Sequence, residues 1–568
     1  MRRFIVTAVL AFVILAMLAP PGFAQAPAPK VTITGLFDQI TSMGRNTYDG
    51  NLTRNSDREW YARTRFRPDF EFAVGQVKAV LGLEIDLSYG QMGANDGGFP
   101  GNTSGTNSGC KVNTNGCYDL NGDVGGMIEI KWIYTEFPLT GKDSLLPFIP
   151  VETRARAGGQ PFETLAQYKL AQYANGDFAG VSAVTTFAPN IKTNLAWAIL
   201  EDQLAGADRG NPSTRTGRGE DTALIFSTDV TPFKGLDLKP LYSWFHADGQ
   251  TAGSARRNLT NRGSAGGTLN ATASRGAPIG PPAAGDATYH EDRHTVGMDA
   301  RLRMGPFGLD PTVYYQFGRI DSQAFDTGPG ANGVGTKKVT ADMSAFLFDV
   351  IGSFQLGPLL LEARGMYSTG NKARDNLAKG IRYYQPLDTD GNYWAGGWTQ
   401  FFASGVDYFN QGWATTGNYV GYDRYGRAGV ALRATYSVTP ALSLYGVVHA
   451  LGTAQKVDTD TGSQLASAGG TGTQARTTVS DKSWAKGDTN YLGTEANLGL
   501  TWRFAPNVAF DLVGGYFFAE WGDSGFDAAE CRVTVPGTTA NAACSNGTVV
   551  NKEARDAYTL AARIRLAF

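Results

Sequence analysis

The run His290-Glu291-Asp292-Arg293-His294 spells H-E-x-x-H, the pattern in which two imidazoles hold a zinc ion and the glutamate serves as general base. Gly297 continues an extended form of the pattern, which would need a third histidine where Ala300 stands. The chemistry requires both histidines on one face of a helix, one turn apart. Here the segment runs on through His294, Val296, Met298, Ala300 and Leu302, a stripe of period two. In a strand, residues four apart are separated by about 13 Å. The two histidines therefore cannot share one zinc in the protease manner. The other histidines, His246 and His449, lie far away in sequence, and no nucleophile elbow or phosphate loop stands out. The acidic stretches 119–123 and 388–392 lack a full calcium ligand spacing. The expectation is a chain that is not an enzyme and carries no metal or cofactor.

The second group of chemically capable residues is a set of charges at alternate positions. Arg63, Arg65, Arg67, Asp69 and Glu71 alternate with an apolar stripe that includes Phe66, Phe70 and Phe72. Lys78, Glu84, Asp86 and Ser88 alternate with Leu81, Leu83, Ile85 and Leu87. A four-residue turn with Phe72 opposite Val77 would set Glu71 beside Lys78, Arg65 beside Glu84 and Arg63 beside Asp86, leaving Arg67 opposite Gly82. Such cross-strand pairs stabilise by about 0.2–1 kcal/mol each. Glu152, Arg154 and Arg156 follow on a later strand. Two readings fit: a wall of self-compensating polar residues, or a basic ladder that forms half of a constriction.

Elements that could position these residues are legible in the same alternation. The chain has 568 residues with 72 glycines, 11% aromatic and 18% charged residues, a composition suited to strands and turns. A formal net charge of −2 excludes a broadly basic nucleic-acid binder. Apolar stripes of period two recur along the chain, separated by short turns such as 188–190, 231–233, 306–308, 357–358, 439–441 and 505–507. Long polar segments follow at the other end, near 90–125, 247–290, 320–340, 370–423, 453–488 and 519–554. This spacing predicts eighteen strands, with sixteen as the alternative count. They begin near 31, 59, 77, 126, 150, 181, 192, 220, 236, 291, 309, 342, 359, 425, 442, 489, 508 and 555. The fold class expected is all-β: an antiparallel transmembrane barrel with short turns on one side and long loops on the other. Eighteen strands tilted about 40° give a backbone diameter of about 36 Å, too wide for side chains to fill.

Residues 1–24 read as a secretory signal peptide: Arg2 and Arg3, an apolar stretch from Phe4 to Leu18, breakers at Pro20, Pro21 and Gly22, then Ala24. Cleavage after Ala24 leaves 25–568 as one barrel domain; cleavage after Ala26 is the alternative. Four cysteines allow three pairings, of which Cys110–Cys117 and Cys531–Cys544 each close a short loop and imply an oxidising compartment.

At the carboxyl end, Tyr558, Leu560, Ala562, Ile564, Leu566 and Phe568 alternate with small, polar or charged residues up to the final position. A terminal phenylalanine behind such a stripe resembles the assembly signal of Gram-negative outer-membrane β-barrels, the porin family included. The resemblance implies location in the outer membrane, contact with its lipids and insertion by the barrel-assembly machinery. It also implies short turns facing the periplasm and a passive channel for small hydrophilic solutes and ions. Monomer and homotrimer both fit. In diffusion porins the loop after the fifth strand folds inward. By position this is about 159–180 here, with Glu163 and Asp177 as acidic candidates facing Arg63, Arg65, Arg67, Arg154 and Arg156. A further segment, 383–425, is dense in aromatic residues and invites three readings: packing into the lumen, sugar stacking or subunit contact. The functional alternatives are a selective sugar or organic-acid channel and a structural sheath around a redox partner. A sheath would have a wide lumen without an inward loop.

Overall fold

Alternation decides the architecture, because a strand with one apolar and one polar face must put the two faces in different surroundings. The computed structural model describes residues 28–45, 58–89, 117–119, 125–162, 173–202, 219–249, 289–326, 335–372, 375, 380–389, 398–400, 425–457, 489–519 and 556–568. Eighteen long strands cross the wall. They are β1 (Lys30–Arg45), β2 (Arg58–Val74), β3 (Val77–Tyr89), β4 (Gly125–Thr140), β5 (Glu152–Phe162) and β6 (Ala174–Ala188). Next come β7 (Ile191–Asp202), β8 (Glu220–Phe233), β9 (Leu236–Asp248), β10 (His290–Met304), β11 (Phe307–Asp326) and β12 (Gly335–Leu356). The last six are β13 (Leu359–Ser368), β14 (Arg427–Ser437), β15 (Leu442–Val457), β16 (Thr489–Ala505), β17 (Val508–Phe518) and β18 (Ala557–Ala567). Each of the eighteen strand starts expected from the sequence has its counterpart here.

Every strand pairs antiparallel with its sequence neighbours, and β18 returns to β1, Leu36 lying opposite Ala567 and Arg45 opposite Tyr558. The seam is sealed where Gly35 and Phe568 exchange backbone hydrogen bonds of 2.9 and 3.0 Å. The sheet is thus a closed barrel, so wherever adjacent strands pair each ladder donor has an acceptor within the wall. The Phe568 ring lies over Phe66 on β2, with ring centres 6.0 Å apart, and Phe66 meets Phe37 on β1.

The two faces are inverted relative to a water-soluble protein. On β8, Asp221, Ala223, Ile225 and Ser227 are at most 1% exposed toward the inside, whereas Leu224 and Phe226 are 36% and 45% exposed outside. On β18, Ala557, Thr559 and Ala561 are buried while Tyr558, Leu560, Ile564, Leu566 and Phe568 are exposed. Small and polar residues face in; large apolar ones form the outer surface.

Short connections gather at the end that holds both described termini. Gly305 and Gly357 turn there with φ of 58° and 55° in open space, so it is the left-handed backbone, not crowding, that calls for glycine. Three expectations about turns are corrected. Phe307 and Gly308 already belong to β11, so that turn is Gly305–Pro306. The Thr231–Phe233 stretch belongs to β8, and the turn falls at Lys234–Gly235. Between β2 and β3 the turn has two residues, Gly75 and Gln76, with Val74 opposite Val77. Gly75, at φ 59°, permits this tight turn, and it shifts the ladder by two residues from the expected register. Arg65 then stands opposite Asp86 and Arg63 opposite Ser88. A two-residue shift keeps every side chain on its expected face.

The β5–β6 connection is shorter than the expected inward loop at 159–180. Gly159 pairs with Ala179, Gln160 with Phe178 and Pro161 with Asp177, so both ends of that stretch are wall. Asp177 lies in the ladder of β6, and Glu163 lies outside the described residues, as do residues 1–24 and Cys110, Cys531 and Cys544. Of Cys117 only the backbone is described, in a three-residue strand that pairs with β4.

Candidate functional site

The inner wall of β2–β5 carries the first concentration of charge. Glu84 on β3 is buried and receives Arg65 at 2.9 Å, Arg67, and Lys131 at 3.8 Å. Lys131 reaches it because β4 carries one extra residue there: Gly82 pairs with Trp132 and Leu83 with Ile130. The bulge re-aims Lys131. The Trp132 ring covers Gly82, where any side chain would collide with the indole. One layer toward the turns, Glu136 on β4 receives Arg156 at 2.7 Å, Arg154 at 2.9 Å and Lys78 at 3.9 Å. Lys78 also meets Glu71 at 3.1 Å. Arg63 is buried on the same wall.

Each of these two carboxylates thus gathers three cations, Lys78 being shared with Glu71. Asp69 and Glu152 add further negative charge on the same faces, so this sector is a dense network of both signs in which the guanidinium groups of Arg63, Arg65, Arg67, Arg154 and Arg156 cluster. The contacts expected between Glu71 and Lys78 and between Arg65 and Glu84 are present, as diagonal neighbours under the shifted register. Arg67, expected to stand alone, is held by Glu84. Arg63 and Asp86 are not ladder partners.

A second feature lies inside the barrel, where the aromatic stretch 383–425 begins. The chain leaving β13 at Ser368 turns back, and Gly380–Ile381 adds a short parallel pairing to Asp342 and Met343 of β12. This edge of β12 is open because β13 pairs only as far as Leu347. From there residues 382–389 run across the inside of the wall to β6. Tyr383, Tyr384, Gln385 and Leu387 are buried. Gln316 of β11 grips the backbone of Gln385, accepting its N–H at 2.8 Å and donating to its carbonyl at 2.6 Å. Arg293 of β10 donates to the Gln385 side chain at 2.9 Å. Tyr384 stacks on Tyr314, and Tyr314 meets Tyr173 just ahead of β6. The strap ends with Leu387 N–H donating to the Tyr173 carbonyl and Asp388–Thr389 pairing parallel with Ala174–Asn175.

The same long connection touches the wall again on the far side of β13. Trp398 is fully buried, with the Arg364 guanidinium 5.8 Å from its ring. Arg364 in turn makes a two-pronged pair with Asp349 at 3.1 and 2.7 Å, both fully buried. Thr399 donates to Glu495 of β16 at 2.5 Å, and the Gln400 backbone N–H does so as well. Arg433 lies 3.7 Å from Glu362 and 5.1 Å from the Tyr445 ring.

Of the residues expected at a constriction, Arg63, Arg65, Arg67, Glu84, Arg154 and Arg156 come together on one sector of the inner wall. The side chains of Asp86, Glu163 and Asp177 lie outside the description. Among the described residues an inward segment follows β13; of the loop expected after β5, residues 163–172 lie outside the described residues. Of the aromatic stretch 383–425, Tyr383, Tyr384, Trp398 and Tyr425 are described, and all four are buried. This matches the packing reading for those four. Gln316, Arg293, Lys131 and Asp349 were missed as functional candidates. Arg293 had been visible only as a filler position of the H-E-x-x-H run. In that run Glu291 faces inward onto Arg293 at 3.1 Å, while His290 and His294 face outward, so the three do not converge.

No protein-family model matches the chain, and no curated protein matches it. Solved structures with a similar fold include Acinetobacter baumannii OccAB1, at 10% identity and TM-score 0.44, covering 97% of this chain and 99% of that one. Pseudomonas aeruginosa OccK8 (OprE) gives 9% identity and TM-score 0.41, with 95% and 98% covered. The outer membrane protein opdK from the same species gives 9% and 0.39, with 94% and 99% covered.

Proposed function

We propose that this chain is an outer-membrane porin, a water-filled channel for passive diffusion of small hydrophilic solutes and ions. The observation that carries the reading is the inverted barrel: charged and small residues inside, large apolar residues outside, on a closed sheet of eighteen strands. Only hydrocarbon around the barrel and water within it suit both faces. The outward stripe of Tyr558, Ile564, Leu566 and Phe568 suits recognition by the barrel-assembly machinery. Strap 380–389 serves as the constriction element that the β5–β6 connection had been expected to supply. Its presence in the lumen speaks against a sheath around a redox protein, which would need that space.

The guanidinium groups of Arg63, Arg65, Arg67, Arg154 and Arg156, gathered with Lys131 around Glu84 and Glu136 on one sector of the wall, favour a second, narrower reading, a preference for carboxylate-bearing solutes over cations. The test of both is incorporation of the purified protein into planar lipid bilayers. Discrete conductance steps support the channel, and a reversal potential in a salt gradient that reports anion preference supports the narrower reading. Protein that folds in detergent yet gives no steps would overturn the first. A cation-selective reversal potential would overturn the second.

A further inference from the structure

The H-E-x-x-H run fails as a protease site, yet two of its residues meet a third histidine across the β9–β10 ladder. His246 stands opposite Asp292, and Asp248 opposite His290. All these positions are on the outward face, beyond the interior and the strap. His246 Nδ1 is 3.0 Å from Asp292 Oδ1, and His290 Nε2 is 3.0 Å from Asp292 Oδ2. One ligand atom from each of the three side chains falls within 4.8 Å of the others. The two imidazole rings are 5.2 Å apart, edge to face.

Outer partners hold the ligands. Trp244 Nε1–H donates to Asp292 at 2.9 Å, and Asp248 lies 3.7 Å from Nδ1 of His290, the nitrogen left over when Nε2 coordinates. A carboxylate behind the far nitrogen of a ligating imidazole is the usual way to fix its tautomer and direction. Below the cluster lies an outward aromatic layer. His294 stacks between Tyr242 and Phe317 at 6.1 and 5.1 Å, and Phe317 continues to Tyr315. At about 3.3 Å per residue and a tilt near 40°, Asp292 stands about 30 Å above Met304. An outward apolar band is about 25 Å tall. The cluster is therefore placed just above the band, where water reaches it.

We propose that His246, His290 and Asp292 form a binding site for a divalent first-row transition-metal ion of the zinc or nickel kind, which staples β9 to β10 at the outer end of the barrel. Two imidazoles and one carboxylate suit a borderline-soft cation and disfavour calcium and magnesium, which prefer all-oxygen sets. Three protein ligands leave coordination positions for water or an external donor. The inference is independent of whether the barrel conducts.

The experiment uses untagged protein folded in detergent, with folding checked by circular dichroism for every variant. Titration calorimetry with Zn2+ is expected to show one saturable equivalent, and Co2+ a visible d–d band. H246A and D292N are expected to bind at least about 100-fold more weakly, while H294A, one layer below, binds as the parent does. In the unmutated protein, Zn2+ is expected to protect His246 and His290, but not His294, from diethyl pyrocarbonate; this readout needs no variant to fold. The proposal is overturned if the parent takes up no saturable zinc, if H246A and D292N bind as tightly as the parent, if protection does not single out the two histidines, or if Ca2+ displaces Zn2+ at equal concentration.

Discussion

Gln316 treats Gln385 as a neighbouring strand would: its side-chain amide accepts the N–H and donates to the C=O of that one residue. A third bond, from Gln316 to Thr295 at 3.0 Å, fixes the amide from the β10 side. One buried side chain thereby ties the strap to the wall at its midpoint. Replacing it by leucine removes both backbone anchors and leaves a buried N–H and C=O without partners, at about 1–3 kcal/mol each. Gln316→Leu is expected to loosen the strap, raising single-channel conductance and current noise while the barrel itself stays folded. Unchanged conductance and noise in planar bilayers would show that the strap does not limit the path.

Charge selectivity should follow the inner wall of β2–β5. Combined neutralisation of Arg63, Arg65 and Arg67 by glutamine is expected to move the reversal potential toward cations. Glu84→Gln is expected to move it the opposite way. The pair of opposed shifts is the diagnostic, since a general loss of structure would not change sign with the charge removed.

The Arg364–Asp349 pair is fully buried and two-pronged. Asp349→Leu strands a buried guanidinium and is expected to cost about 3–5 kcal/mol, read from urea unfolding in lipid vesicles. Changing both residues to leucine is expected to recover most of that loss, because the uncompensated charge is then gone.

Leu432 on β14 is 66% exposed, a position where a water-soluble protein would accept arginine freely. With hydrocarbon around the barrel, Leu432→Arg is expected to cost up to about 2–4 kcal/mol, depending on depth. The same unfolding assay decides this, and a neutral result would remove the membrane from the account.

How much of this was legible beforehand depends on what kind of physics each element obeys. Strand number, strand starts and facing followed from alternation, which is written into each segment separately; β8 and β18 needed no knowledge of their partners. Register was less legible, because it rests on turn length: Gly75 allows a two-residue turn where four residues had been expected. Even so, the error preserved each face, and Glu84 still found Arg65. The strap was illegible in position. Its contacts join Gln385 to Gln316 and Arg293, and Leu387 to Tyr173, all remote in sequence, and no local period encodes them. Its one trace was compositional, the density of tyrosine and tryptophan after Ile381. The His246–His290–Asp292 cluster was hidden for the same reason: it exists only once β9 and β10 are aligned.

The strap also makes the inner lining uneven around the barrel. It hugs the arc from β12 to β6, about a third of the circumference, and Trp398–Gln400 covers part of the next arc as far as β16. Among the described residues, the arc that includes β2–β5 has no such covering. The inner lining formed by the described residues is therefore lopsided, padded on the β6–β12 side and bare along the guanidinium-bearing β2–β5 side. A lining of that kind is asymmetric about the barrel axis, and two opposite faces of the same interior present unlike surfaces.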